Sequence, residues 1–248
     1  MKIVIENASD FQKCVDAISV LIDEAELVFD EKGLSLKATD PSQISMVDFA
    51  MPKNAFKEYD VKDKTKLGVD LSYFSQVMSR AKSGDSLSLE LDETNSRLNV
   101  TFEGNSKRHF QIPLIDISSS DLPSPKIEFD AEMTIKASVL QDALKDASLI
   151  STHVSLAASP DSFAVSADSS KGNLNNVTQK DGKSILEIKC LKETKSMFPL
   201  DYLQDMIKAA SNDSDLSVKL KSNAPVQIEY KIGEAGLCYF LAPRIENE

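Results

Sequence analysis

Apolar residues return every second position through most of this chain, and every third or fourth in only four places. The period-two stretches include "LSLKA" from Leu34, "ISMVDFA" from Ile44, "LSLEL" from Leu87, "RLNVTF" from Arg97, "LSVKL" from Leu216 and "VQIEYKI" from Val226. Alternation of this kind turns one face of a strand toward a core and the other toward water. Four helical stripes interrupt it. Phe11, Cys14, Val15, Ile18, Leu21 and Ile22 form the first, with Ser9 or Asp10 as its expected cap. Tyr73, Phe74, Val77, Met78 and Ala81 form the second, and Leu140, Ala143, Leu144, Ala147 and Ile150 the third. Tyr202, Leu203, Met206, Ile207 and Ala210 form the fourth. Turn residues separate the segments in "DEKG", "DPSQ", "SGD", "FEGNS" and "GEAG", where hairpins need Gly, Asn, Asp and Pro. The chain therefore reads as α+β, with far more strand than helix.

The pattern occurs twice. "LSYFSQVMSRAKSGDSLSLEL" from Leu71 returns as "LDYLQDMIKAASNDSDLSVKL" from Leu200, 129 residues later. At the same shift Phe11, Val15 and Leu21 fall on Leu140, Leu144 and Ile150, and Leu34, Leu36 and Ala38 fall on Phe163, Val165 and Ala167. A duplicated domain follows. Between the copies, "DISSSDLPSPKIEFD" from Asp116 is rich in serine and proline and has no period, so it predicts an extended connector. Leu122 is the one large apolar side chain in its Ser/Pro-rich part, residues 118–125. The expected boundaries are 1–115 for the first domain, 116–128 for the connector and 129–248 for the second.

Composition narrows the chemistry. A chain of 248 residues with 42% apolar and 27% charged residues has enough material for proper cores, and no stretch approaches the roughly 20 apolar residues of a membrane span. Cys14, Cys190 and Cys238 are widely separated, which predicts buried reduced thiols and an intracellular setting. His109 and His153 are the only histidines, and neither has metal-ligand spacing with cysteine. No nucleophile elbow, phosphate-binding glycine loop or dinucleotide fingerprint is present, so no catalytic residue, metal or cofactor is assigned. The formal charge of −11 argues against nucleic acid wrapped around the outside. It leaves room for a local basic surface, because screening acts within about 8 Å at physiological salt. The candidates are Lys13, Arg80, Lys82, Lys145 and Lys208, on the polar sides or at the ends of the four helices. Ordinary helix solubility, and the dipole preference for cations in a last turn, are the alternative reasons for them.

The closing run "PVQIEYKIGEAGLCYFLAPRIENE" resembles the end of the sliding clamp family called PCNA, in its archaeal or eukaryotic form. "LIDEAELVFDEKGLSLKATDPSQISMVDFAMP", "VDLSYFSQVMSRAK", "PLID" and "LKDASLIS" resemble earlier parts of the same family, so the likeness spans essentially the whole chain. It implies duplicated clamp domains with antiparallel sheets outside and four helices inside, three subunits closing head to tail into a ring. The ring would be a homotrimer or a heterotrimer with paralogues. It would encircle duplex DNA without reading sequence, and tether DNA polymerase, clamp loader, flap endonuclease and DNA ligase through short peptide motifs.

On this resemblance the basic residues above line the hole, although Gln76 and Ser79 stand where many members carry lysine. The peptide pocket would use Ile44, Met46, Leu122, Pro225, Phe240, Ala242 and Pro243. The subunit interface would pair "KRHFQIP" with "GNLNNVTQ", with Phe110 and Ile112 against Leu174 and Val177 unless these face their own cores. The setting would be cytoplasmic and nucleoid-associated in an archaeon, nuclear in a eukaryote. A damage-signalling clamp subunit of the same fold, and an enzyme with an unrecognised carboxylate site, are the rival readings.

Overall fold

A computed structural model of the chain describes residues 1–117 and 122–244. The connector positions 118–121 and the terminal positions 245–248 lie outside the described residues. Two compact units emerge. Of the described residues, one contains 1–41, 47–117, 122–123 and 232–237, and the other 42–46, 124–231 and 238–244.

In the first unit, β1 (Lys2–Ile5) leads into α1 (Ala8–Ser19), followed by β2 (Glu24–Asp30), β3 (Gly33–Thr39), β4 (Ser45–Pro52), β5 (Glu58–Asp60) and β6 (Thr65–Asp70). Then come α2 (Leu71–Met78), β7 (Ser86–Asp92), β8 (Arg97–Glu103) and β9 (Lys107–Pro113). The strands run β5-β1-β7-β8-β9 and β6-β2-β3-β4, with antiparallel neighbours wherever the register is defined. The second unit repeats this. It contains β10 (Ala131–Lys136), α3 (Ala137–Ala147), β11 (His153–Ala158), β12 (Ser162–Ser169), β13 (Gly172–Gln179), β14 (Ile185–Cys190) and β15 (Thr194–Pro199). It ends with α4 (Leu200–Ile207), β16 (Asp215–Leu220) and β17 (Val226–Ile232), while β18 (Ala235–Leu241), like β4, has residues in both units. Its strands run β14-β10-β16-β17 and β15-β11-β12-β13. A shift of 129 maps β6, α2, β7 and β8 onto β15, α4, β16 and β17 at their first residues, so the duplication read from sequence is a duplication of fold.

Each helix buries the central part of the stripe that its sequence predicts, while Leu21, Ala81, Ile150 and Tyr202 are half-buried. Phe11, Cys14, Val15 and Ile18 of α1 and Phe74, Val77 and Met78 of α2 are buried, and Phe11 meets Phe74 edge-on at 6.3 Å. Burying each such side chain contributes about 1.5–3 kcal/mol. The helices of each pair are also joined by polar contacts. Ser75 Oγ donates to Asp16 Oδ1 at 2.7 Å, and Gln141 Nε2 donates to the Ile207 and Ala210 carbonyls at 3.1 and 2.9 Å.

Several expectations need adjustment. α1 starts at Ala8, and its cap is Asn7, whose side chain accepts the Ser9 N–H at 3.1 Å, rather than Ser9 or Asp10. Asn at this position leaves a side-chain oxygen within reach of the first unpaired amides. Tyr73 is 42% exposed, because Leu71 and Phe74 take the buried positions on the first turn of α2. Of the cysteines only Cys14 is fully buried, and burial pushes its thiol up to about 12.

Gly68 shows how closely backbone packs beside the connector. A Cβ there would stand 2.1 Å from the Ile115 carbonyl oxygen, while the Ile115 N–H donates to the Gly68 carbonyl at 3.0 Å. Gly68→Ala is expected to lift Ile115 off β6 at a cost of about 1–3 kcal/mol. Hydrogen exchange should then show the Ile115 amide losing protection roughly tenfold or more, with the β2–β3 amides unchanged.

Candidate functional site

Three groups of residues carry the candidate surfaces, and each is built by strand or helix geometry. The first is the exposed side of the helices. Lys13 is exposed and pairs with Asp10 at 3.1 Å, Lys145 is exposed in the last turn of α3, and Lys208 is the exposed C-cap of α4. Asp10, Asp16, Asp142, Asp146, Asp201 and Asp205 belong to the same three helices, so their outer faces carry more acid than base. Burial, more than the charge of Asp201, raises the Asp205 carboxyl, and Lys208 partly opposes that rise.

Arg80 and Lys82 differ from the other basic candidates, because they stand in the turn after α2. That turn is tied to β9. The Arg108 guanidinium donates to the Arg80 carbonyl and to the Asp85 carboxylate, which is buried and also accepts the Lys82 N–H at 2.7 Å. Arg108 also stacks over the Phe102 ring at 5.1 Å. Gly104 makes room for this arrangement, since a Cβ there would stand 2.2 Å from Asp85 Oδ1. Sequence reasoning missed the pair. Asp85 and Arg108 are 23 residues apart, and only the hairpin registers of β7, β8 and β9 bring them together.

The second group is the pair of strands β9 and β13. Each hydrogen-bonds on one side only, β9 to β8 and β13 to β12, and at seven and eight residues they are the longest edges among the described residues. The edges of β6 and β15 are instead met by the Ile115 and Arg244 amides, which donate to Gly68 and Met197. Phe110 is half-buried against Phe102 at 6.0 Å, Leu174 is half-buried, and Val177 is 46% exposed. Ile112 is fully buried beneath its own sheet, so it is withdrawn from the interface set: on alternating β9 it takes the core-facing place opposite Leu98. Leu149, missing from the sequence reading, is 74% exposed just after α3. Ser169 Oγ donates to the Ile150 carbonyl at 2.7 Å, which holds this turn against the β12–β13 hairpin.

The third group surrounds the end of the second unit. Ala242 donates its N–H to the Ile44 carbonyl at 2.8 Å. Ile44, Met46, Pro225, Ala242 and Pro243 are half-buried, and Phe240 is 7% exposed although Tyr239 and Leu241 occupy the core-facing positions on either side of it. Leu122 belongs to the first unit, half-buried over the sheet face of Glu26, Lys37 and Lys66.

Comparison with known proteins gives these surfaces a family. The model for the N-terminal domain of proliferating cell nuclear antigen matches residues 1–122, and the model for its C-terminal domain matches residues 124–245. The DNA polymerase sliding clamp of Methanococcus vannielii is 38% identical over 247 residues, covering 97% of this chain and 98% of that one. Among solved structures, A. fulgidus PCNA bound to the C-terminal region of FEN-1 matches with a TM-score of 0.89 at 28% identity, covering 100% of this chain and 99% of that one. The PCNA2-PCNA3 complex of Sulfolobus tokodaii matches with a TM-score of 0.90 at 25% identity, covering 99% and 100%. The two domain models fall on the two copies of the fold and together span almost every residue: the chain belongs to the proliferating cell nuclear antigen family.

Proposed function

We propose that the chain is a subunit of a sliding clamp, a closed ring that surrounds duplex DNA and tethers DNA polymerase and other DNA-processing enzymes to it. The observation that carries this reading is the match of both family domains over a duplicated fold. The relative from Methanococcus is named for the same role, and the A. fulgidus structure holds the C-terminal region of FEN-1 bound to PCNA. The ring closes head to tail, β9 of one subunit beside β13 of the next, which removes two long unpaired edges. Arg80 and Lys82 beside β9, and Asp142 and Asp146 on α3, which packs against β13, supply opposite charges to the two sides of that junction. Lys13, Lys145 and Lys208 face the DNA. Because acid outnumbers base on those helices, attraction to phosphate is weak and retention depends on closure of the ring.

Clients bind through short motifs that engage Ile44, Met46, Pro225, Phe240, Ala242 and Pro243, and Leu122 joins this set on the family resemblance. Polymerase, clamp loader, flap endonuclease and ligase are the expected clients. The chain acts as a tether and performs no chemistry, in an archaeal cytoplasm beside the nucleoid. Light scattering should give the mass of three copies of the 27.2 kDa chain, or of a trimer completed by paralogues. With clamp loader present, the cognate polymerase should extend primers much farther before dissociating. A monomer at every concentration, with or without paralogues, together with unchanged product length, would overturn the reading.

A further inference from the structure

Corresponding sheet faces of the two units have diverged in charge. In the first unit Lys66 pairs with Glu26 at 2.7 Å and Lys37 with Asp48 at 2.9 Å, so that face is neutralised internally. At the shift of 129, Lys66 corresponds to Lys195, but Glu26 corresponds to Ser155, Glu24 to His153 and Ile115 to Arg244. Each of the last three exchanges removes an acid or adds a base, while the Lys37–Asp48 pair is replaced whole by Ser166 and Val177. The result is a cleft of about 500 Å³ on the β11–β12–β15 face, lined by His153, Ser155, Ser166, Asp168, Lys195 and Arg244 among others.

Among the described residues the Lys195 ammonium meets no carboxylate within ion-pair distance, and Arg244 reaches only His153 Nδ1 at 3.4 Å. Asp168 is the one acid in the lining, exposed on the rim, and it corresponds to Thr39 in the first unit. Ser155 and Ser166 face each other across β11 and β12 as donors on the floor. Two cations without a carboxylate partner over a hydroxyl floor are the features of an anion seat.

We propose that this cleft takes the carboxylates of an acidic segment of a client protein, next to its binding motif. This rests on the client-binding reading above. The encircled duplex is not the source of the anion, because α3 packs on β12 and β13 on the side where Phe163 and Val165 are buried, whereas Ser155, Ser166 and Asp168 of the cleft take the alternate positions that face the other way. Continuity points to a flanking segment: Arg244 follows directly on Ala242 and Pro243, and its N–H, donating to the Met197 carbonyl at 2.7 Å, fixes it to β15 at the cleft.

Calorimetry on the full chain would use a client-motif peptide with neutral flanks and two peptides carrying four added glutamates, one at each end. One acidic peptide should bind roughly three- to tenfold tighter than the neutral one at low salt, and the gain should fade as salt rises. Lys195→Glu and Arg244→Gln should each reduce that gain while leaving the neutral peptide unaffected. An equal gain in wild type and variants, or no gain, would overturn the proposal. So would an increase in the gain after removal of residues 245–248, since the chain's own glutamates would then be the occupant. Failure of the neutral peptide to bind would instead count against the client pocket. An acidic peptide lacking the motif, followed by chemical-shift changes at Lys195 and Arg244, tests the cleft independently.

Discussion

A chain carrying Leu149→Glu and Val177→Glu is expected to remain folded and to lose its assembly. Both side chains are exposed, 74% and 46%, so neither substitution removes core packing, and the melting temperature should stay within a few degrees of wild type. At a closed junction they would instead be covered, beside the backbone edge of β13. Two further carboxylates placed there cost several kcal/mol, because Arg80 and Lys82 across the junction already face Asp142 and Asp146 and cannot repay the added desolvation. The subunit association constant should therefore fall by about a thousandfold or more, and light scattering should report the mass of a single 27.2 kDa chain. A companion variant, Arg80→Glu with Lys82→Glu, separates two roles for these cations. If they act at the junction, its mass also falls at physiological salt, and Asp142→Lys with Asp146→Lys in the same chain restores part of it. If they act only on DNA, the mass is unchanged. Retention of wild-type mass by the Leu149 and Val177 variant would remove β13 from the interface.

How much of this was legible beforehand differs from element to element. Where one face of a strand is buried and the other wet, the alternation is explicit, and β3, β7, β8, β16 and β17 could be read directly from their leucines, valines and isoleucines. Duplication was legible for the same reason, since buried positions in both copies need apolar residues at equal spacing. β13 was not legible from pattern alone. "GNLNNVTQ" has three asparagines and an exposed valine, and none of its residues is fully buried even where α3 packs against it, so only the family resemblance marked it as a strand edge. Features depending on contacts between distant residues were hidden. Asp85 and Arg108 each look like ordinary surface charges in sequence, yet they anchor the turn that carries Arg80 and Lys82. Lys195 likewise gains meaning only beside its counterpart Lys66, whose glutamate partner it lacks. Ile112 illustrates the opposite error, because a strand at a sheet edge still turns alternate side chains into its own core.

Leu122→Ala combined with Phe240→Ala is expected to abolish client-peptide binding while the ring survives. The two residues belong to different units, Leu122 half-buried on the connector and Phe240 at 7% exposure on β18. A peptide that uses both loses two apolar contacts at once. Central aromatic and aliphatic anchors each cost about 1.4 kcal/mol or more when truncated, so the dissociation constant should rise about a hundredfold or beyond. Phe240→Ala also removes packing beside Tyr239, so a modest loss of stability accompanies it, and the chain's melting curve and assembled mass must be measured on the same sample. Leu122→Ala alone supplies the variant least able to disturb the fold, with an expected loss of roughly tenfold. Polymerase stimulation should follow peptide affinity rather than stability across the set, because tethering on DNA raises local concentration only for partners that can still bind. Unchanged calorimetric affinity in the double variant would remove these two residues from the client site. Binding lost together with assembled mass would trace the effect to folding, and Leu122→Ala would then decide the question.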